Sequence, residues 1–260
     1  MKKFLILLLV VALCGCAAPA QPTTTPPTTV PETTVPETTA APTTAPTEPL
    51  HSSLYREGLD IEQVLTYFQE VCNQLEYTDG TSDPALTKKW LGPLVYRVKG
   101  KPTAEDLQVL ADFCEQLNSL PNFPGIREAQ KGEANNLTLH FLSPEKFQKE
   151  FSECVQGEDA WGACQFWFYN ATYEIHTAAI GYRTDIPQAD RSSIILEEIV
   201  NILGITDSEL RSDSIVYQHS NENLCLSDVD WLLLELLYHP DMDTAMDAEM
   251  CEKVIRDLYY

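Results

Sequence analysis

Histidine is scarce in this 260-residue chain, with five in all. His140 and His176 each stand alone on an alternating stretch, with no partner at metal-ligand spacing. No Cys-x-x-Cys pair occurs, which argues against a thiolate zinc cluster. A Gly-x-Ser-x-Gly elbow, a phosphate-binding glycine loop and a spaced cysteine–histidine pairing are likewise missing. Basic residues are few: 17 Lys and Arg face 39 Asp and Glu, for a net charge of −22. That balance opposes nucleic acid and anionic lipid as electrostatic partners, and in an exported protein it serves solubility. The apolar run Phe4 to Leu13 is too short for a stable membrane span.

What is present starts at the N-terminus. MKKFLILLLVVALCGC has the form of an export signal, with Lys2 and Lys3 ahead of the apolar core. Leu13-Cys14-Gly15-Cys16 resembles a bacterial lipobox, in which Cys16 becomes the lipidated first residue of the mature chain. An ordinary signal cut near Ala17 or Ala20 is the alternative. Two acyl chains suffice for stable anchoring, so the expected location is the outer face of the cytoplasmic membrane, tethered without spanning. Residues 17–50 are almost entirely Pro, Thr, Ala, Val and Glu, with VPETT occurring twice. Such a composition has no apolar payload to offset ordering entropy. At about 3 Å per residue in a polyproline-like form, this stalk reaches on the order of 90 Å.

Residues 51–260 suit one well-buried domain. Its six cysteines are Cys72, Cys114, Cys154, Cys164, Cys225 and Cys251. Outside the cell an even number permits disulfides. Cys154 and Cys164 would close a short loop, with the full connectivity open and buried free thiols the alternative. Helical periodicity runs through Ile61, Val64, Leu65, Phe68, Val71 and Cys72, and again through Leu107, Leu110, Ala111, Cys114 and Leu117 behind a Thr103–Asp106 cap. Strands are expected over Leu94–Gly100 and Asn135–Pro144. Two more follow in CQFWFYNATYEIHTAAIGYRTD, with a turn near Asn170. Pro144 starts a short helix. The last third is helical, with Val229, Leu232, Leu233, Leu236 and Leu237 marking a core helix capped by Ser227. The expected class is α+β with a mixed sheet and closing C-terminal helices.

One stretch carries the functional question: EEIVNILGITD, Glu197 to Asp207. Steps of 100° put Ile195, Ile199, Ile202 and Leu203 on one face and Glu197 and Asn201 opposite, with Glu198 on the flank. Gly204 stands where a C-terminal cap belongs. The spacing resembles that of zinc proteases of the HExxH type, whose two ligands lie four apart on one helical face with a general-base glutamate between them. It also resembles their metzincin branch, with a glycine bend and a third ligand. On that resemblance Glu197, Asn201 and Asp207 hold the ligand places and Glu198 the general-base place. Val216, within Ser214-Ile215-Val216-Tyr217, stands at the place of the methionine turn. LSDVDWLLLELLYHP, Leu226 to Pro240, is similar to the closing helix of matrix-type metalloproteases. The resemblance covers roughly Leu94 to Pro240 and implies a zincin-like fold.

A second resemblance is to a family of bacterial lipoproteins with a domain of unknown function. It rests on Lys88-Lys89-Trp90 with Pro93, on ILEEI…LGI…D, on Asp213-Ser214-Ile215, and on LS…D…LLYHPDM. It supports the architecture and the anchor.

Two carboxylates and an amide are hard oxygen donors, suited to calcium, magnesium or manganese rather than zinc. The expectation is therefore no bound cofactor, with a divalent cation as the alternative. The domain is read as a monomeric, non-catalytic metalloprotease-like module whose cleft, lined by Glu197, Glu198, Asn201 and Asp207, binds a peptide or cell-envelope partner. Two alternatives stand beside it. One is an active metal-dependent hydrolase with Glu198 as base. The other is a cell-wall carbohydrate binder using the aromatics Trp161, Phe166, Trp167, Phe168, Tyr169 and Tyr173, although packing in the core is the favoured role for those rings.

Overall fold

Three helices begin on reciprocal capping boxes, and these set the frame of the domain. In a computed structural model that describes residues 53–73, 85–154 and 160–259, Asp60 opens α1 (Ile61–Cys72) with Gln63 as its partner. Thr103 and Asp106 open α2 (Ala104–Ser119), and Ser227 and Asp230 open α5 (Asp228–Leu237). Each box pairs two helix-end N–H groups that have no partner inside the helix. Cys16, the leader 1–16 and the stalk 17–50 lie outside the described residues.

The remaining elements are β1 (Lys89–Trp90), β2 (Leu94–Gly100), β3 (Ile126–Glu128), β4 (Leu137–Leu142), α3 (Pro144–Glu150), β5 (Gly162–Phe168), β6 (Glu174–Arg183), α4 (Gln188–Ile202) and α6 (Ala248–Tyr259). The strands form one mostly parallel sheet. β2 pairs in parallel with β3 and with β4, and β4 with β6, while β5 runs antiparallel to β6. Ala179 of β6 faces Thr138 of β4 on one side and Gln165 of β5 on the other. β5 is therefore the edge strand, and the order across the sheet is β3-β2-β4-β6-β5. β1 pairs Trp90 with Ile175 on the β4 side of β6, before β4 begins at the Leu137–Ala178 pair. The expected mixed α+β class holds, with six helices among the described residues. β1 and β3 escape sequence reading because two and three residues are too few to display alternation.

The sheet has two unlike faces. α2 and α4 pack on one. On the other, Phe147 and Phe151, from and just beyond α3, pack with Leu142 and Ala163, and a Cβ on Gly181 would stand 2.5 Å from the Phe151 ring. Strand alternation then decides the cysteines. Ala163 lies on the α3 face together with Cys154, whereas Cys164 packs into the main core on the opposite face. The expected Cys154–Cys164 pairing finds no support in this arrangement: the two side chains lie on opposite faces of β5, and all six cysteines of the described residues are free thiols in this structure. The Cys154 thiol instead donates to Gln165 Oε1 at 3.5 Å.

α4 also departs from its wheel. Ser193, Ile194, Ile195, Leu196, Glu198, Ile199, Val200, Asn201 and Ile202 are all buried. The helix is central and covered nearly all round, so the face holding Asn201 is not open to solvent as its polarity suggests. On α2, Leu107 is 44% exposed and Ala111 is exposed, while Phe113 fills the core in their stead. Near its N-terminus α4 is tied to α2 by a buried ion pair, Arg191 Nε to Asp106 Oδ1 at 2.8 Å.

Candidate functional site

The C-terminal end of α4 is built from the tertiary structure inward. Its last carbonyls do not meet water: the Trp90 indole donates to Ile202 O at 2.7 Å, and the Tyr238 hydroxyl donates to Leu203 O at 3.0 Å. Gly204 then turns the chain at φ +107°, a left-handed conformation that only glycine adopts without strain. A Cβ there would lie 1.9 Å from the Lys88 carbonyl oxygen, so the position excludes a side chain twice over.

That turn brings Asp207 back to the helix. Asn201 Nδ2 donates to Asp207 Oδ1 at 2.8 Å, so two of the three expected ligand residues do meet. They meet as a hydrogen-bonded pair. Asn201 Oδ1 is buried and has no partner among the described residues, an arrangement that costs about 1–3 kcal/mol wherever water or a ligand does not supply a donor.

Glu197 is half-buried one helical turn before Asn201. Glu198 lies against the sheet: its Oε1 would stand 2.6 Å from a Cβ placed on Gly162. Gly162 is thus the hole that admits this carboxylate under β5. Burial raises the Tyr182 phenol and the Cys154 thiol, and the charge of Glu198 adds to both shifts. The Tyr182 hydroxyl, fully buried on the strand beside Gly162, is another oxygen without a hydrogen-bond partner among the described residues.

Among the described residues, no three His, Cys, Asp or Glu side chains stand together as a metal would require. The donor set at Asn201 and Asp207 does not fit zinc. It offers neither imidazole nor thiolate, and the amide nitrogen is spent on the carboxylate.

The segment after the turn is pinned on three sides. Thr206 N–H donates to Val71 O at 2.7 Å, Ser208 Oγ to Glu70 Oε2 at 3.0 Å, and Ser208 N–H to Val216 O at 2.7 Å. Val216, at the place of the methionine turn, is completely buried. Asp230 holds that turn from below by accepting from Ser214 Oγ at 2.6 Å and from the Ile215 N–H at 3.0 Å.

The aromatic hairpin divides between two roles. Phe166, Phe168 and Trp161 pack against the core, whereas Trp167 is 46% and Tyr169 53% exposed. Sequence reasoning passed over Gly162 and Tyr182, and it met Trp90 and Tyr238 only as parts of Lys88-Lys89-Trp90 and LLYHPDM, without a role at the helix end. Tyr182 left a signal as the large member of an alternating pair with Gly181.

The fold and this helix end define a mixed α+β domain with a mostly parallel sheet, one antiparallel edge strand and a glycine-turned central helix. A family model described as a protein of unknown function (DUF2927) matches residues 61–257, and the chain belongs to that family. No curated protein matches the chain.

Proposed function

We propose that this chain is a lipid-anchored protein on the extracellular face of the cytoplasmic membrane whose zincin-like domain is non-catalytic and binds an extended peptide or envelope partner along β5. The observation that carries the reading is the Asn201–Asp207 hydrogen bond at two positions where a metzincin holds metal. β5 lies directly against α4, and its outer edge has no strand partner among the described residues. An unpaired edge offers main-chain donors and acceptors to an added strand. The order of elements supports the zincin-like part: parallel strands, an antiparallel edge strand, the motif helix, a glycine turn, a buried turn at Val216 and a closing helix α5. The anchor at Cys16 rests on the lipobox and on the stalk 17–50.

Two measurements test this. Hydrogen exchange on the full chain, with and without an equimolar pool of cell-envelope peptides, should give protection of the amides from Ala163 to Trp167. Unchanged exchange there in the presence of bound peptide would sink the binding mode. For the fold reading, Glu197→His, Asn201→His and Asp207→His together should create stoichiometric zinc binding and raise the thermal midpoint, because the spacing alone positions three imidazoles. A triple variant that folds and ignores zinc would remove the metzincin likeness. If the unmodified chain takes up zinc and cleaves peptide, and Glu198→Gln abolishes that cleavage, the hydrolase reading replaces this one.

The exposure of Trp167 and Tyr169 favours a second reading, a glycan platform. It predicts retention on cell-wall sacculi that is lost in Trp167→Ala.

A further inference from the structure

We propose that Cys72 and Cys251 form a disulfide that closes the domain from its first helix to its last. The two residues belong to α1 and α6, which pack side by side and run antiparallel. Contacts along the seam fix that direction. Near one end the Tyr259 hydroxyl donates to Leu59 O at 2.9 Å, and Arg256 bonds Glu62 at 2.8 Å. At the other end Asn73, the residue after Cys72, places its Nδ2 3.9 Å from Cys251 Sγ and 3.2 Å from Met246 O.

Cys72 is the last residue of α1 and Cys251 lies in the first turn of α6, so each sits where its helix meets the other. Both are free thiols in this structure and both are buried, Cys251 completely, so the bond is the oxidised form of a pair that the fold already brings to one place. The surroundings are otherwise poorly satisfied: Asn73 Oδ1 has no partner among the described residues, and the Cys251 thiol reaches only Met246 O at 3.9 Å. These contacts bring the two cysteines to one end of one interface. Cys114, on α2, and Cys154, beyond α3 on the far face of the sheet, lie elsewhere.

The same burial dictates when the bond forms. Desolvation raises the Cys72 thiol, with Cys251 as the next contributor, and it raises Cys251 to about 11. The attacking species in thiol–disulfide exchange is the thiolate. In the folded domain both thiols are protonated and screened, so oxidation belongs to the folding chain, before α6 settles on α1. One thiolate attacks a disulfide-bearing oxidant such as glutathione disulfide, forming a mixed disulfide and releasing one glutathione thiolate. The second protein thiolate then displaces the other glutathione. Two electrons pass from the protein to the oxidant, which leaves as two thiols, and the two cysteine protons balance the charge.

The test refolds the denatured full chain in a glutathione redox buffer, then alkylates the remaining thiols under denaturing conditions and maps the peptides. The expected product has lost two hydrogen masses and joins the peptide of Cys72 to that of Cys251. The link should raise the thermal midpoint by on the order of 10 °C, an increment that reductant removes from the wild type and that Cys251→Ala lacks with or without reductant. Because Cys251→Ala can itself fold poorly, a second arm adds the same oxidant to the already folded, reduced chain, where coupling should be at least tenfold slower. Complete alkylation of Cys72 and Cys251 after oxidative refolding overturns the proposal, and so does a link from either one to another cysteine.

Discussion

Two capping boxes in this domain have the same local sequence logic and opposite electrostatics. Thr103–Asp106 opens α2 and Ser227–Asp230 opens α5, and in both the third helical residue is a buried aspartate whose carboxylate accepts from the cap N–H. At Asp106 burial opposes the charge, but the Thr103 N–H, Arg191 and Gln188 outweigh it and hold the pKa below 3.8. At Asp230 burial wins and the pKa is raised, although Ser214, Ile215 and Ser227 all donate to it. Asp106 has a guanidinium hydrogen-bonded at 2.8 Å, whereas the donors that bond Asp230 are hydroxyls and amides, with Arg211 acting on it only through its charge at longer range. Neutral donors do not replace a cation for a desolvated carboxylate.

The largest break in this comparison is Arg191→Met. Stripping the cation leaves Asp106 buried without its counter-charge, and a loss of about 3–5 kcal/mol in urea unfolding at neutral pH is expected. A loss below about 1 kcal/mol would mean that Gln188 and the helix end already neutralise the site. The same substitution swings the Asp106 pKa upward, so the penalty should begin to shrink as pH falls through that raised value and be gone once pH has fallen through the lowered wild-type value.

Wild-type pH dependence sharpens the contrast further. A depressed folded pKa means that the contribution of Asp106 is present above its ordinary value of 3.8 and is lost as pH falls through the folded value. Asp230 has the reverse sign. Its contribution is complete below 3.8 and is lost as pH rises through its raised folded value. Stability followed from about pH 3 to 6 in Arg191→Met should therefore turn downward with rising pH, because both carboxylates then resist ionisation.

Ser214→Ala removes one donor of 2.6 Å from Asp230 and should cost about 1–2 kcal/mol, with a further rise in the Asp230 pKa visible by carboxyl NMR. The smallest effects are the caps themselves. Thr103→Ala and Ser227→Ala should each cost about 1 kcal/mol, similar at both sites because the local geometry is shared. A difference above about 1 kcal/mol would show that Ser227, whose hydroxyl also bonds Asp230 at 2.9 Å, does more than cap its helix.

Much of the fold was legible from the residues. The capping boxes, the alternation of Leu94–Gly100, the short helix at Pro144 and the closing helix over Val229–Leu237 all express local rules. The candidate site was half legible: the spacing from Asn201 through Gly204 to Asp207 pointed to two side chains that meet. A helical wheel could not reveal that Asn201 is buried, because burial of a central helix depends on what covers its polar side. Nor could spacing reveal that Cys154 and Cys164 lie on opposite faces of β5, or that Glu198 occupies the space left by Gly162.

The sequence by itself determined where helices start and stop, which strand residues point inward, and that no imidazole stands at the motif. Those are short-range matters of hydrogen-bond capping, side-chain periodicity and composition. Tertiary structure alone decided which buried aspartate receives a cation, which cysteines share an interface, and that the motif helix ends in a hydrogen bond between Asn201 and Asp207. Each of those depends on groups distant in sequence entering one desolvated space, where a single guanidinium or a missing Cβ changes which charges and contacts are stable.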